Sequence, residues 1–423
     1  MNYKIFSLGC KVNSYECSAL ASLLNSRGYE PCKEGSPDIF IINTCSVTAT
    51  ADQKSRQHIR KFQREYPSSI IVVMGCYSQG NAEYIQKEIN PQILIGTSHR
   101  NEIPDLIEKY LKTKQNIVKV DDNPRLFNYE EFVVTACSEN IRAYLKIGDG
   151  CNNFCTYCLI PYRRGRLRSR KFSDVINEAH HLVKLGYQEI VLTGIHVGGY
   201  GEDLENVTFS DLVEALLNIK GLRSLRISSI EASEIDDKLI SFYGTYPNLA
   251  RHIHIPLQSG SEHILKLMGR RYTKEQFLDK IKKLKEQLPD VALSTDVIVG
   301  FPSESEEEFL ESKAFIEECG FHQLHVFPFS AREGTPAYKM KEQIDPQTKK
   351  RRTNVLLDLS KELWDEYVSR FIGQELRVLI EKKEKDYLIG RTSNYIEVKI
   401  SSKEEKVGDI ISVKLTKDMI ISK

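Results

Sequence analysis

Three cysteines within one short stretch carry the clearest chemistry of this sequence. The segment 148–165 reads GDGCNNFCTYCLIPYRRG and contains Cys151, Cys155 and Cys158 with a C-x3-C-x2-C spacing. Cysteine thiolates bind zinc or iron–sulfur clusters. Because a structural zinc site normally takes four protein ligands, three cysteines favour a 4Fe–4S cluster in which one iron stays open for another ligand. The alternative is a zinc loop that Cys137 or His196 completes.

The compartment decides how the ten cysteines are interpreted. The N-terminus MNYKIFSLGC lacks the basic start, apolar stretch and cleavage site of a secretory signal. The longest apolar runs are far too short to cross a bilayer. The sequence therefore predicts a cytoplasmic protein with no membrane segment, in which cysteines are metal ligands or reactive thiols rather than disulfides.

A second set of cysteines is spread over the N-terminal part of the chain. Cys10, Cys45 and Cys76 each follow a short apolar run with the composition of a buried strand. The carboxyl ends of parallel strands meet at one edge of a sheet, where loops form a crevice. These thiols are therefore expected to meet in space as ligands of a second metal centre. The alternative is three separate core residues, since free cysteine is often a small buried side chain.

Alternation of strand-like and helix-like segments predicts an α/β protein with three domains. Up to Val134 it indicates a parallel sheet. Between residues 135 and 370 the alternation of strand-like and helix-like segments is more regular and gives six β/α units. Because six units are too few for a complete barrel, an open, partial barrel is predicted. After Phe371, short alternating strands indicate a small all-β domain. The predicted domains are 1–134, 135–370 and 371–423, and the predicted barrel strands are 143–148, 189–193, 225–229, 252–256, 293–299 and 323–327.

The cysteine loop, with Tyr157 before its last cysteine, resembles the signature of radical S-adenosylmethionine (SAM) enzymes. In that superfamily the open iron binds the methionine end of SAM, and electron transfer yields a 5′-deoxyadenosyl radical. With its N-terminal cysteines and a C-terminal domain similar to a TRAM domain, the chain resembles a methylthiotransferase over nearly its whole length. The resemblance implies SAM and two 4Fe–4S clusters. Its implied ligands are Cys151, Cys155 and Cys158 for the radical-generating cluster and Cys10, Cys45 and Cys76 for an auxiliary cluster.

Two segments beside the N-terminal cysteines indicate the substrate branch. LGCKVNSYE (8–16) and INTCSVTATADQKSRQ (42–57) resemble the enzymes that act on N6-threonylcarbamoyladenosine in tRNA, as does YLIGRTSNYIEV near the C-terminus. The branch for isopentenyladenosine usually has GCQMN at the first site, and the branch for a ribosomal-protein aspartate has GCPKN. The implied activity is methylthio transfer to carbon 2 of the adenosine at position 37, next to the anticodon. Those two branches remain alternatives, and a zinc-containing RNA-binding protein without catalysis is the alternative of another class.

Small and polar residues near the ends of the predicted barrel strands are candidates for binding SAM, because barrel active sites lie at that rim. Small residues let the backbone approach the methionine end, and polar groups bind ribose or the amino group. The strand STDVIVGFPSE resembles the adenine-contacting strand of the family, with an aspartate where a glycine is usual. Singly, each candidate also fits a structural role. The candidates are Tyr157, Thr193, Gly194, His196, Ser229, Glu231, His254, Gln258, Asp296, Val299, Gly300 and Ser330.

A basic run, PYRRGRLRSRK (161–171), follows the cysteine loop directly. Guanidinium groups bind phosphate in a bidentate manner, so the run is predicted to guide the anticodon loop of tRNA toward the cofactor, with a second basic wall at 54–64. The alternative is that these arginines pair with acidic residues of their own domain. The resemblance further implies an electron donor such as a flavodoxin or ferredoxin. The predicted RNA-contacting residues are Arg163, Arg164, Arg166 and Arg168.

Overall fold

The computed structural model describes residues 1–124, 128–135, 141–401 and 405–421. Cys137, the alternative zinc ligand, lies outside the described residues. The described chain is α/β: a parallel-sheet domain, an open β/α barrel and a small antiparallel domain. The predicted fold class is therefore confirmed. Among the described residues, no helix combines the length and apolar character needed to cross a bilayer.

The N-terminal domain is built on a six-stranded parallel sheet whose described strands run in the order β2-β1-β3-β4-β5-β6. The strands are β1 (Asn2–Ser7), β2 (Glu30–Pro31), β3 (Ile39–Thr44), β4 (Ile70–Gly75), β5 (Ile93–Ile95) and β6 (Ile117–Lys119). The helices are α1 (Lys11–Ser26), α2 (Ala49–Glu65), α3 (Cys76–Gly80), α4 (Ala82–Glu88) and α5 (Ile103–Thr113). Every residue of β3 and β4 is buried, as expected for central strands covered on both faces. The strand order reverses between β1 and β3, which makes the carboxyl end of these strands a topological switch point.

Six parallel strands form the open barrel in the order β7, β10, β11, β12, β13 and β14. Backbone bridges between residues 225 and 249 and between 229 and 254 join its two halves. The predicted barrel strands agree with the observed ones within two residues at each end. The strands are β7 (Arg142–Lys146), β10 (Glu189–Thr193), β11 (Ser224–Ile227), β12 (His252–His254), β13 (Ala292–Val299) and β14 (Gln323–Pro328), and a two-stranded ribbon, β8 (Gly148–Asp149) with β9 (Arg168–Ser169), follows β7.

Helices cover the outside of the barrel, and one apolar core extends from them into the N-terminal domain. Several helices begin at a Ser, Thr or Asp whose side chain accepts a backbone N–H of the first turn, which fixes where the helix starts. The helices are α6 (Ile160–Arg164), α7 (Phe172–Lys184), α8 (Phe209–Leu217), α9 (Asp237–Thr245), α10 (Glu262–Leu267), α11 (Lys274–Gln287), α12 (Glu306–Cys319) and α13 (Pro346–Ser369).

The C-terminal domain is a four-stranded antiparallel sheet in the order β17-β16-β15-β18. Its apolar residues share a core with Trp364 and Tyr367 of α13. One of its turns reaches the barrel: the Tyr395 ring stacks on the His252 ring at 4.1 Å, and the Arg226 guanidinium lies 5.0 Å from the Tyr395 centroid. The strands are β15 (Glu375–Lys383), β16 (Leu388–Thr392), β17 (Glu397–Ile400) and β18 (Ile410–Lys414).

Tyr395→Ala is expected to loosen the junction between barrel and β domain by about 1–3 kcal/mol, because it removes a ring stack and a cation–π contact. Trp364 is the one tryptophan of the sequence and belongs to the shared core, so its fluorescence during urea unfolding reports on this junction. Tyr387→Ala is the matched control, since that ring contacts Lys399 within the β domain. Equal shifts of the two midpoints would contradict the docking role of Tyr395.

Candidate active site

The three N-terminal cysteines lie together at the switch point of the first sheet. Cys45 and Cys76 directly follow β3 and β4 and are buried, and Cys10 follows β1 in an exposed loop. A Cβ atom added at Gly9, whose φ is +101°, would lie 2.6 Å from Cys45 Sγ. The loop that carries Cys10 therefore approaches Cys45 so closely that only glycine fits there. The structure brings this predicted set to one edge, as the sequence reasoning expected.

The thiols of this set interact electrostatically with one another. Burial raises the pKa of Cys76 to about 11, and the nearby Arg164 opposes that shift. Arg164 Nε donates to Cys76 Sγ across 3.1 Å. A buried cation beside three clustered thiols stabilises their thiolate forms, so the donor set fits an iron–sulfur cluster with three protein ligands. Binding must release the protons that these thiols hold at neutral pH.

The second set lies on the loop between β8 and α6, at the rim of the barrel. The Cys158 thiol interacts electrostatically with Cys155 and Cys151, and burial raises its pKa to about 12. The backbone N–H of Thr156 donates to the carbonyl of Met268 at 2.9 Å, which holds the loop against the barrel. Arg270 Nη1 donates to Cys155 Sγ at 3.5 Å. Three thiols on one anchored loop, with a guanidinium beside them, fit a 4Fe–4S cluster.

His196, a predicted SAM contact and an alternative zinc ligand, lies next to this loop. Its Nε2 contacts Glu234 and lies 3.3 Å from Asn153 Nδ2. Burial alone would lower the pKa of His196, but hydrogen bonds with Cys151 and Glu234 outweigh burial and raise it to about 10. The imidazole is therefore protonated near neutral pH and places a positive charge beside the Cys151 thiol.

The other predicted SAM contacts lie at the barrel rim, and some of them contact other side chains of the chain. Glu231 forms an ion pair with Arg270. His254 Nδ1 lies 3.0 Å from Ser294 Oγ, and its Nε2 lies 3.3 Å from Asp296 Oδ1. Their roles toward SAM stay predictions.

The remaining candidates are fixed mainly through their backbones. Gln258 has a φ of +67° and donates its backbone N–H to the Asp296 carbonyl at 2.8 Å. The N–H of Gly300 donates to Glu304 Oε2 at 2.6 Å. The structure places the others as follows: Tyr157 packs beside an apolar cluster, Thr193 and Val299 are buried, Gly194 lies against the Gly148 carbonyl, and Ser229 is exposed.

The first domain docks on the barrel through residues that follow β14. Ser330 Oγ accepts the backbone N–H of Ala49 at 3.3 Å, so this candidate contacts the loop that follows Cys45. Arg332 Nη2 donates to Ser46 Oγ at 3.1 Å and to Asp52 Oδ2 at 2.6 Å. The segment that follows β14 therefore joins the barrel to the segment that follows Cys45.

Arg164 contradicts its predicted role. The side chain is 0% exposed, and its Nη1 lies 2.8 Å from Glu16 Oε1 and 3.1 Å from Asp149 Oδ2. Arg100 and Lys146 join the same network. Although burial would raise the pKa of Glu16, Arg100, Arg164 and Lys146 hold it well below its usual value. The prediction that Arg164 contacts RNA is wrong, because pairing with acidic residues of the chain buries it.

The rest of the basic run is divided between the interior and the surface. Arg168 Nη1 donates to the carbonyls of Arg164 and Arg166 at 2.8 Å each. Arg166 is exposed, with its guanidinium 5.6 Å from the Phe154 centroid, and Arg163 is partly buried. The second basic wall is better exposed, since α2 presents Lys54, Arg60, Lys61 and Arg64 to solvent. RNA contacts by Arg163, Arg166 and Arg168 stay predictions.

Sequence reasoning missed several groups around the two loops. Arg270 contacts a cluster cysteine and Glu231, Arg332 joins the domains, and Glu234 holds His196. None of them lies at the end of a predicted strand, which was the signal used to select candidates. The segment MGRRY at 268–272 contains an arginine pair that was a possible signal for Arg270.

Comparison with known proteins indicates the same class of protein as the geometry of the site. A profile described as Radical SAM superfamily matches residues 145–316, one described as Uncharacterized protein family UPF0004 matches 2–96, and one described as TRAM domain matches 369–419. The solved structure of the radical SAM methyltransferase TsrM from Kitasatospora setae, with cobalamin and a [4Fe-4S] cluster bound, superposes with a TM-score of 0.62 at 12% identity, over 79% of this chain and 73% of that chain. That likeness concerns the fold alone.

Relatives with similar sequences indicate which family of radical SAM proteins the chain belongs to. The chain is 44% identical to the threonylcarbamoyladenosine tRNA methylthiotransferase MtaB of Bacillus subtilis (strain 168), over 97% of this chain and 93% of the relative. The protein of the same name from Aquifex aeolicus (strain VF5) is 35% identical, over 96% of this chain and 98% of that relative. The tRNA-2-methylthio-N(6)-dimethylallyladenosine synthase of Bacillus cereus (strain B4264) is 34% identical, over 98% and 83%. The chain belongs to the tRNA methylthiotransferase family of radical SAM enzymes.

Proposed function

We propose that this protein transfers a methylthio group to carbon 2 of N6-threonylcarbamoyladenosine at position 37 of tRNA. The observation that carries the proposal is the approach of the two cysteine sets: Arg164, in the helix that directly follows the barrel cysteine loop, is hydrogen bonded to Cys76 of the sheet-edge set. Relatives named for this activity align with nearly the whole chain at higher identity than those named for the dimethylallyladenosine reaction. The zinc-protein and ribosomal-protein alternatives find no support among these relatives.

Radical SAM enzymes use SAM and a 4Fe–4S cluster, and Cys151, Cys155 and Cys158 are the residues that would hold that cluster here. We assign a second cluster to the set of Cys10, Cys45 and Cys76. When bound, the clusters and SAM supply the radical, the sulfur and the methyl group. A radical is required because no side chain acts as a base strong enough to deprotonate an adenine ring carbon near neutral pH.

The residues of the chain prepare this site by charge and position. Arg270 places a guanidinium at Cys155, and its ion pair with Glu231 orients it. Protonated His196, held by Glu234, places a second cation at Cys151. These cations offset the negative charge that thiolates bring to a bound cluster. The docked first domain covers the barrel rim through Arg332, which helps to exclude water from the reacting groups.

The base at position 37 must leave its stack to reach such a crevice, as single-stranded loops allow. Exposed Arg166 and the exposed basic residues of α2 would bind the phosphates of the anticodon loop. The β domain, which matches a TRAM profile, would add a further RNA contact. The electron would come from a flavodoxin or ferredoxin, and the reaction would take place in the cytoplasm.

The test is anaerobic reconstitution of the full chain with iron and sulfide, followed by reaction with three substrates. These are a tRNA carrying N6-threonylcarbamoyladenosine, a tRNA carrying isopentenyladenosine and a ribosomal-protein peptide with the target aspartate. Mass spectrometry of the digested products is expected to find the methylthio group on the first substrate only. A product on either of the others at a comparable rate would contradict the assigned substrate.

A further inference from the structure

Three side chains of metal-ligating types lie on neighbouring strands at one side of the barrel. His254 is on β12, Asp296 on β13 and His325 on β14. Asp296 pairs with His325 in the parallel ladder, and His254 pairs with Ser294, two residues before Asp296. Because side chains of a strand alternate between its two faces, Ser294 and Asp296 point to the same side of the sheet. The three side chains therefore share one face.

That face is the inner one, toward the lumen that the six strands enclose. The residues next to the three along their strands belong to the apolar core under the surrounding helices: Ile253, Val297 and Leu324. Successive side chains of a strand point to opposite faces, so the polar ones point inward. His254 and Asp296 are partly buried and His325 is exposed, which makes the set accessible to a solute.

The spacing of the three side chains suits a shared ion. Each offers one ligand atom, and these atoms lie within 4.8 Å of one another. His254 Nε2 lies 3.3 Å from Asp296 Oδ1, and the ring centroids of His254 and His325 are 5.5 Å apart. Two ligands of one tetrahedral zinc ion, with bonds of about 2.0–2.2 Å, are about 3.4 Å apart. The first two ligand atoms therefore already have the separation that one ion requires.

His254 is held in the orientation that such a site needs. Its Nδ1 lies 3.0 Å from Ser294 Oγ, which directs Nε2 toward Asp296. Ser294 Oγ also lies 3.1 Å from His252 Nε2, and both of these residues are buried. A metal-binding histidine normally uses its second ring nitrogen for a hydrogen bond of this kind, which fixes the ring before the ion arrives.

The types of ligand indicate the kind of ion. Two imidazoles and one carboxylate suit a divalent first-row transition metal, whereas magnesium and calcium prefer oxygen ligands throughout. The set contains no thiolate, so it differs from the two cysteine sets that fit iron–sulfur clusters. Three protein ligands leave at least one coordination position of the ion open toward the lumen.

We propose that His254, Asp296 and His325 bind one divalent transition-metal ion in the barrel lumen, in addition to the two clusters. The open position of this ion would accept an oxygen or nitrogen atom of a molecule that enters the lumen. The site includes two residues that the sequence predicted as direct SAM contacts. Metal binding gives these two side chains a different role, which an experiment without SAM can detect.

The experiment titrates Mn²⁺ into the reconstituted full chain after iron outside the clusters has been removed. The clusters are kept in their oxidised state, which gives no electron paramagnetic resonance signal, so the signal of free Mn²⁺ measures binding. Wild type is expected to bind about one Mn²⁺ per chain, and Zn²⁺ should displace it because zinc binds such ligands more tightly. His325→Gln and Asp296→Asn should each raise the dissociation constant more than about 10-fold, since loss of a group that only supports a ligand already costs about 10- to 100-fold.

His263→Gln is the matched control, because His263 lies 2.7 Å from a carboxylate oxygen of Glu308 at an exposed position outside the set. Unchanged Mn²⁺ binding in both His325→Gln and Asp296→Asn would overturn the assignment, as would equal weakening in His263→Gln. A wild-type protein that binds no Mn²⁺ would also overturn it and leave the three side chains as a hydrogen-bonding set. The titration contains no tRNA, so failure of the metal site is distinguishable from failure of the proposed function.

Discussion

Cys155→Ala abolishes the release of 5′-deoxyadenosine from SAM, whereas Cys76→Ala abolishes methylthio transfer and still cleaves SAM. This pair of expected results follows from the separation of the two cysteine sets, one on the barrel rim and one at the sheet edge. Cys155 is buried beside Arg270, so the variant loses a ligand and leaves a guanidinium without its thiolate. We expect a fall of more than about 100-fold, since loss of a group that merely supports a metal ligand already costs about 10- to 100-fold.

Anaerobic assays with dithionite check both variants, with deoxyadenosine measured by chromatography and the methylthio product by mass spectrometry. Cys32→Ala is the control, because Cys32 lies beside Tyr3 near the start of β1, whereas Cys10 follows the end of that strand. Iron content per chain should fall to about half in each cluster variant and stay unchanged in the control. Equal SAM cleavage by Cys155→Ala and wild type would refute the assignment of the radical-generating cluster.

Much of the fold was predictable because the hydrophobic periodicity and the composition of a segment indicate whether it forms a buried parallel strand. Segments such as IFIINT and IIVVMG are apolar throughout, and the structure buries every residue of both. The site residues were predictable where a cysteine directly follows the end of a strand. Cys45 and Cys76 are adjacent to β3 and β4, so locating the strands located the thiols.

Contacts between distant elements were not predictable in this way. Arg164 and Arg166 stand two residues apart in one basic run, but one is fully buried and the other exposed. The difference depends on Glu16 and Asp149, which approach from other parts of the chain. The amino-acid composition around an arginine does not indicate whether distant acidic residues will pair with it.

Arg164→Met is the substitution with the largest expected effect on stability. It removes the cation that contacts Glu16, Asp149 and Cys76 in a site without solvent. Breaking a buried ion pair by removing one partner costs about 3–5 kcal/mol, because the remaining charges lose their compensation. Chemical denaturation followed by circular dichroism is expected to show this loss, while Arg166→Met, at an exposed arginine, changes stability by less than about 0.5 kcal/mol and weakens tRNA binding instead.

The pH dependence of this loss separates an electrostatic cause from a packing defect. Arg100, Arg164 and Lys146 keep the pKa of Glu16 below its ordinary value despite burial, so the network adds stability above pH about 4 that disappears as the pH falls through the lowered pKa. The difference between wild type and Arg164→Met should therefore be largest near pH 7 and shrink toward pH 3. Adding Glu16→Gln to Arg164→Met should cost less than the sum of the two single changes, since both act on one network. A difference that stays constant from pH 7 to pH 3 would show that Arg164 contributes packing and not charge.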